Sequence, residues 1–256
     1  MIRISALQMQ TAGANVDANL SRIERAAKQA AAAGASLLVT PELSLMSYGG
    51  GERMVDLAEP ADGPAVSRLE EVARRSGIAI VAGFAEKAGS AVYNSAVYAD
   101  GTTPPSVYRK AYLYGDYERA LFTPEAPQSC LFTHQGITLG MLICYDVEFP
   151  ENVRRLAVAG AELIVVPTAT PAGASGTFIA EKMVPVRAFE NQIFVAYVNN
   201  CGNDGDFEFA GRSIVAAPDG SALATAELSE ALLTADVDPS AYDRSRSENT
   251  YLRDLL

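Results

Sequence analysis

The chain has 256 residues, 49% of them apolar, enough for one large domain or two small ones with a full core. Its formal net charge of −11 and pI near 4.6 exclude a nucleic-acid surface, because phosphates require clustered Lys and Arg. No apolar run approaches a membrane span, and Met1-Ile-Arg-Ile lacks the basic-then-apolar order of a signal peptide, so a cytoplasmic protein is expected.

Residues 2–10 alternate like a strand, and 16–33 read as an Ala-rich helix with Asn15 or Asp17 as its cap. A short apolar strand follows at 36–40. Pro64 to Arg75 reads as a helix, with Pro in its first turn and Gly77 just past its end. Strands are predicted at 78–86, 92–99 and 105–110, the last two joined by a turn at Asp100-Gly101. A loop at 111–128 leads to strands at 129–133 and 137–143, a helix at 150–159 and a strand at 162–167. A helix at 178–189, a strand at 192–198 and a hairpin across Pro218-Asp-Gly220 complete a core spanning 1–238. The tail, 239–256, has few apolar anchors and reads as an extended arm. Helices alternating with strands imply the α/β class, and the several hairpins imply mixed sheets. Periodicity alone leaves one sheet and two stacked sheets equally open.

Cys144 stands where the apolar strand at 137–143 ends and helix begins, the edge at which open α/β sheets keep their active sites. A free cysteine is ordinarily a small buried residue. Here it sits at an elbow where a helix N-terminus would lower a thiol's pKa, and polar Tyr145, Asp146 and Glu148 follow it. Cys130 and Cys201 lack this setting and read as structural. The three cysteines form neither a disulfide framework nor a zinc pattern. His134 is the single histidine and reads as an exposed turn residue rather than a base. One histidine without clustered ligands gives no metal site.

Glu42, directly after Leu37-Leu-Val-Thr-Pro41, would sit at the rim of a buried sheet, where desolvation raises a carboxyl toward neutrality. Lys110 ends the strand at 105–110, and Glu118 follows eight residues later. A thiol, a carboxylate and an ammonium can serve as nucleophile, base and oxyanion stabiliser. The alternative for each charge is an ordinary solvated loop acid or an edge-protecting lysine.

Taken together these residues resemble the nitrilase superfamily of carbon–nitrogen hydrolases over nearly the whole chain. Pro41-Glu42-Leu43 matches the family's catalytic glutamate, Tyr108-Arg109-Lys110 its lysine and Cys144-Tyr145-Asp146 its cysteine. Glu118 falls where the amidases carry a second glutamate, and Arg187-Ala-Phe-Glu-Asn191 with Asn199 resembles the family's later helix and strand. The resemblance implies a four-layer α-β-β-α sandwich with two mixed sheets, and subunits paired through their helix layers as a homodimer or larger homo-oligomer. It also implies a tail, 239–256, that packs on a partner subunit. In the mechanism it implies, Cys144 attacks an amide carbon and Glu42 accepts its proton. Lys110 and the Tyr145 backbone N–H hold the oxyanion, Glu118 positions Lys110 or the leaving nitrogen, and no cofactor is needed.

Cys-Tyr-Asp, in place of the Cys-Trp-Glu usual in nitrilases, leans toward an amidase. Family members that act on ω-amides of keto acids often carry Arg at the position of Glu148. An acid there suggests a small primary carboxamide that is neutral or cationic, unless Glu148 pairs with Arg154 or Arg155. Tyr48 in the Gly-rich loop, Tyr112, Phe149 and Thr170 are candidate pocket residues, while Asp146 reads as a cap and Arg187–Glu190 as an ion pair. Nitrilase or N-carbamoyl amino acid hydrolase activity with the same residues is the alternative, and a binding module without turnover is the remaining one.

Overall fold

A computed structural model describes residues 1–255. Strand β1 (Ile2–Gln8) leads to helix α1 (Val16–Ala32), whose first turn is capped by the Asn15 side chain accepting from Ala18 N–H at 3.1 Å. Strand β2 (Leu37–Val39), a 3₁₀ turn at Tyr48–Gly50 and short helix α2 (Glu52–Asp56) precede helix α3 (Pro64–Ser76). Pro64 occupies the first turn of α3 and Gly77, at φ 65°, ends it, as the sequence predicts. Then come β3 (Ala79–Ala88), β4 (Ala91–Ala99), β5 (Ser106–Arg109), α4 (Gly115–Leu121), β6 (Leu131–His134) and β7 (Ile137–Met141). Helix α4 lies within the segment 111–128 that reads as loop. Its one fully buried residue is the acid Glu118; Tyr117 and Leu121 pack against the core, but at seven residues and without a side-chain N-cap the helix is too short to announce itself.

A 3₁₀ turn, Cys144–Glu148, joins β7 to helix α5 (Pro150–Val158), and β8 (Leu163–Thr168) follows. Helix α6 (Ala174–Phe178) continues through a π turn at Ile179–Met183 into α7 (Val184–Asn191), so this helix starts earlier than predicted. Pro185 has no N–H for the carbonyl four residues back, a reason for the ladder to widen just before it. Strands β9 (Phe194–Asn199), β10 (Cys201–Asp204), β11 (Phe207–Ala210), β12 (Ile214–Ala216), β13 (Ala222–Thr225) and β14 (Ala231–Val237) complete the sheets, and α8 (Asp243–Glu248) lies in the tail.

The strands form two six-stranded mixed sheets, ordered β14-β1-β2-β3-β4-β5 and β13-β12-β9-β8-β7-β6, with β10-β11 as a separate hairpin. Each sheet has three parallel strands at its centre, β1-β2-β3 and β7-β8-β9, with antiparallel strands outside them. Alternation along a strand places Leu37, Val39, Ala79 and Val81 in one apolar cluster, with Leu139, Leu163 and Phe194 of the other sheet. Leu38, Ile80, Ala82 and Phe84 fall in a second cluster, with Leu20, Ile23 and Ala27 of α1 and Val66 and Leu69 of α3. Helices α5 and α7 supply Val153, Leu156, Val184 and Ala188 to the first cluster. The layering is therefore α-β-β-α, the arrangement that periodicity left open.

The tail differs from the expected extended arm. It forms a 3₁₀ turn at Pro239–Tyr242, α8 and a final 3₁₀ turn at Arg253–Leu255. It folds back on its own chain: Ser245 donates to Gln192 Oε1 at 2.7 Å, Tyr242 packs edge-on to Phe194, and Tyr251 packs on Phe189. His134 also differs from expectation. It is 7% exposed and bonded to Tyr98 OH and Ser36 Oγ at 2.9 and 3.0 Å, so it is a satisfied buried histidine.

One close approach governs how the sheets present the Glu42 segment. A Cβ on Gly83 of β3 would lie 2.2 Å from Leu43 N and 2.9 Å from the Glu42 carbonyl carbon. Leu45 N–H donates to Gly83 O at 3.0 Å and Gly83 N–H to Ser44 Oγ at 3.2 Å, so the segment is docked on bare backbone. Gly83→Ala is expected to destabilise the fold by about 1–3 kcal/mol in chemical denaturation, the usual cost of overpacking, and to displace Glu42. Unchanged stability and activity in that variant would contradict the docking.

Candidate active site

The site is assembled at the carboxyl ends of strands from both sheets. Glu42 lies three residues beyond β2, Lys110 directly follows β5, Cys144 lies three beyond β7, and Thr170 two beyond β8. Glu42 N–H donates to Thr168 O at 3.3 Å and Asn200 Nδ2 to Glu42 O at 3.2 Å, tying the end of one sheet to the other.

Lys110 is at the centre. Its Nζ donates to Glu42 Oε1 at 2.6 Å and to Glu118 Oε1 at 2.7 Å, and all three side chains have 0% exposure. Glu42 Oε1 also accepts from Asn94 Nδ2 at 2.7 Å, while Glu42 Oε2 is buried without a protein partner. Glu118 Oε1 accepts from Tyr48 OH at 2.9 Å and Glu118 Oε2 from Tyr114 N–H at 2.9 Å. Burial pushes the Glu42 carboxyl up to about 7, against the opposing pull of Lys110. Burial would lower Lys110, but Glu118 and Glu42 outweigh it and hold the ammonium well above its ordinary range.

Cys144 occupies the elbow with φ 45°, a left-handed conformation that a non-glycine residue holds only under constraint. Asp146 supplies that constraint. Its buried carboxylate accepts from Ile143 N–H (3.1 Å), Ala111 N–H (3.2 Å), Tyr112 N–H (2.9 Å) and Tyr108 OH (2.9 Å). It is the cap expected from the sequence, and it also clips the segment after Lys110 to the elbow. Burial raises Asp146 to about 6. The thiol departs from expectation. Only a five-residue 3₁₀ turn begins at Cys144, and burial together with Glu42 pushes the thiol well above its ordinary range, with Lys110 and the Ala169 N–H opposing. Thr170 Oγ1 lies 3.6 Å from the sulfur. The Tyr145 N–H, in the first turn after the elbow, meets no carbonyl among the described residues.

A cavity of about 480 Å³ opens over Cys144, walled by Tyr48, Tyr114, Tyr145, Glu148, Thr170 and the segment 171–176. Tyr48 packs against Tyr117 and, edge-on, against Phe207 and Phe209 of the β10-β11 hairpin. Burial raises Glu148 to about 7, with Lys110 and Arg187 opposing. Its carboxylate pairs with neither Arg154 nor Arg155: Arg154 donates to Glu190 O, and Arg155 to Asn152 Oδ1 and Gln128 O. Arg187 pairs with Glu190 at 3.0 Å and also donates to the Val147 and Glu148 carbonyls.

Two residues expected in the pocket are elsewhere. Tyr112 and Phe149 stack on each other, 4.0 Å between ring centroids, and neither lines the cavity. The stack satisfies both rings outside it. Sequence reasoning missed Tyr114, Asn94 and Tyr197. A polar Asn94 amid the apolar strand Ala91–Ala99 was a usable signal. Tyr197, inside an apolar run, left none. Among the described residues no group of acidic, histidine and cysteine side chains could hold a metal ion, and no helix is long and apolar enough to cross a membrane.

The model of the carbon-nitrogen hydrolase family matches residues 3–247. A Pseudomonas protegens protein named "Hydrolase in pqqF 5'region" is 41% identical over 256 residues, covering 99% of this chain and 88% of the relative. An (R)-stereoselective amidase from a Pseudomonas species is 33% identical, covering 99% and 91%. Among solved structures, a mutant of the amidase from Nesterenkonia sp. AN1 superposes with a TM-score of 0.84 at 34% identity, covering all of both chains. That protein shows Michael addition of acrylamide at its active-site cysteine.

Proposed function

The chain belongs to the carbon–nitrogen hydrolase family as an amidase-type enzyme, and we propose that it hydrolyses a small primary carboxamide through a thioester on Cys144. The observation that carries this reading is the buried Glu42–Lys110–Glu118 cluster beside the thiol, with one Glu42 oxygen unpaired and its carboxyl near 7.

In this mechanism the Cys144 sulfur forms a bond to the amide carbon while its proton passes to Glu42 Oε2. The carbonyl electron pair moves to oxygen, where Lys110 Nζ and the Tyr145 N–H donate to it. Collapse breaks the C–N bond, and the nitrogen takes the proton from Glu42 and leaves as ammonia. Water then attacks the thioester, Glu42 accepts its proton, and collapse expels the sulfur, which recovers that proton as acid departs. A thiol held above its ordinary range suits this cycle, because proton and nucleophile then move together. Glu118 never touches the substrate carbon; it holds Lys110 Nζ at 2.7 Å while Glu42 engages it at 2.6 Å.

The substrate is neutral or cationic in this reading. Glu148 faces the cavity with no cationic side chain in direct contact, so an ionised Glu148 repels a substrate carboxylate and attracts an ammonium. We also propose a homo-oligomer paired through the layer of α5 to α7, whose outer side exposes Val158, Phe178 and Val186, with the adjoining tail at that interface.

Ammonia release from a panel of aliphatic, aromatic, amino-acid and ω-keto amides, nitriles and N-carbamoyl amino acids tests the reaction. Wild type is expected to hydrolyse amides, with kcat/KM rising through about pH 7 as Glu42 loses its proton, and Cys144→Ala is expected to lose at least about a thousandfold. Turnover by Cys144→Ala, or of nitriles alone, would overturn it.

A second prediction concerns charge. Above pH 7 a cationic amide should exceed an isosteric anionic one in kcat/KM by about tenfold or more, and the ratio should fall as Glu148 takes its proton below pH 7. Base ionisation cancels in that ratio. Glu148→Gln should flatten it; a wild-type ratio that ignores pH would contradict the assignment.

A further inference from the structure

We propose that Thr170 is a further catalytic residue, donating its hydroxyl hydrogen to the Cys144 sulfur, and that Tyr197 is a positioning residue, donating its own to the Thr170 oxygen. This rests on Cys144 being the nucleophile and adds a donor that the Glu42–Lys110–Glu118 cluster does not supply.

The geometry is a chain of three atoms. Thr170 Oγ1 lies 3.6 Å from Cys144 Sγ and is hydrogen-bonded on its other side to Tyr197 OH. Thr170 is fixed independently of that chain. Its N–H donates to Asn199 Oδ1 at 2.9 Å, and Asn199 Nδ2 in turn donates to Gly211 O at 2.8 Å. Tyr197 projects from the middle of β9 and is 1% exposed, so its position is set by the sheet.

The direction of the chain follows from counting donors. Each hydroxyl has one hydrogen to give. Among the described residues Tyr197 OH makes no hydrogen bond but the one to Thr170 Oγ1. If Thr170 donated to Tyr197, the phenolic hydrogen would be buried without an acceptor, which native structures avoid. Tyr197 therefore donates to Thr170, and the Thr170 hydrogen is left for the sulfur. Burial holds the phenol well above its ordinary range, so Tyr197 keeps the proton that it donates.

The sulfur needs such a donor. Glu42 and Glu118 both reach it with charge that opposes a thiolate, and Glu148 lies in the same cavity wall; Lys110 and the Ala169 N–H are the opposing groups. Lys110 is already engaged by two carboxylates. A hydroxyl aimed at sulfur stabilises negative charge when the thiol proton leaves for Glu42, and again when the thioester breaks. Thr170 keeps its own hydrogen throughout, so no proton is transferred along the chain.

The test is the rate of iodoacetamide alkylation at Cys144 against pH, read on the Cys144 peptide by mass spectrometry, with kcat and KM measured in parallel. The proteins are wild type, Thr170→Val, Thr170→Ser, Tyr197→Phe and Cys144→Ala. Hydrogen bonds to charged groups predict that Thr170→Val raises the alkylation midpoint by about one pH unit and lowers kcat about tenfold, with KM nearly unchanged. Thr170→Ser should restore both, and Tyr197→Phe should shift both in the same direction by less. A wild-type profile in Thr170→Val overturns the proposal, as it does in Tyr197→Phe should the valine variant fail to fold. A shift in Thr170→Val that serine does not reverse also overturns it, because packing and not the hydroxyl would then be responsible. An inactive Cys144→Ala beside an unchanged Thr170→Val sinks the donor chain alone; an active Cys144→Ala sinks the thioester reading with it.

Discussion

The arrangement depends on the cost of burying one ammonium. Lys110 lies wholly out of water, and a lone cation there would be prohibitive, so it must be matched by carboxylates at hydrogen-bonding distance. Two of them share it. Burial, with the neighbouring Glu118 adding to it, raises Glu42 to about 7 against the pull of Lys110. The group so raised is the one with an unpaired oxygen, while Glu118 is bonded on both oxygens, by Lys110 and Tyr48 on one and by the Tyr114 N–H on the other. An asymmetry in hydrogen bonding thus divides two chemically alike carboxylates into a base and a support.

The scaffold exists to hold that asymmetry in place. Beyond the end of β2, the Glu42 N–H reaches across to the carbonyl of Thr168, the last residue of β8 in the other sheet. Gly83 lets the Glu42 segment lie directly on β3. Asp146 gathers four donors from the elbow, from β5 and from the segment after Lys110, so thiol and ammonium are referenced to one carboxylate. The β10-β11 hairpin brings Phe207 and Phe209 against Tyr48 and thereby fixes the hydroxyl that holds Glu118. Positioning groups of this kind lie far apart in sequence and meet only through the sheets.

Much of this was legible in the chain, for identifiable reasons. Helices α1 and α3 carry regular apolar spacing with caps at their ends, and Glu42, Lys110 and Cys144 each follow an apolar strand, where a polar residue is conspicuous. Helix α4 was not legible, because it is only seven residues long, has no side-chain cap, and buries the acid Glu118 beside the partly buried Tyr117 and Leu121. Nor was the state of the thiol. A helix N-terminus would have depressed it, but the elbow yields a short 3₁₀ turn in a buried place, and desolvation prevails. Tyr112 and Phe149 share the site's sequence neighbourhood yet stack on one another outside the cavity, whereas Tyr197 sits inside an apolar strand and reaches the site only because β9 pairs with β8. Contacts across strands cannot be read from spacing along one of them.

The measurement closest to the central claim is direct titration of the Glu42 carboxyl. Carbon-13 NMR of protein labelled at the glutamate carboxyl carbons, comparing wild type with Glu42→Gln, would follow each group through the pH range. The account predicts one resonance titrating near pH 7 that disappears in Glu42→Gln and belongs to a group distinct from Glu148, which Glu148→Gln removes separately. A Glu42 resonance that titrates in the ordinary range around pH 4.5 would contradict it, since Glu42 would then be a fixed anion paired to Lys110 and not a base.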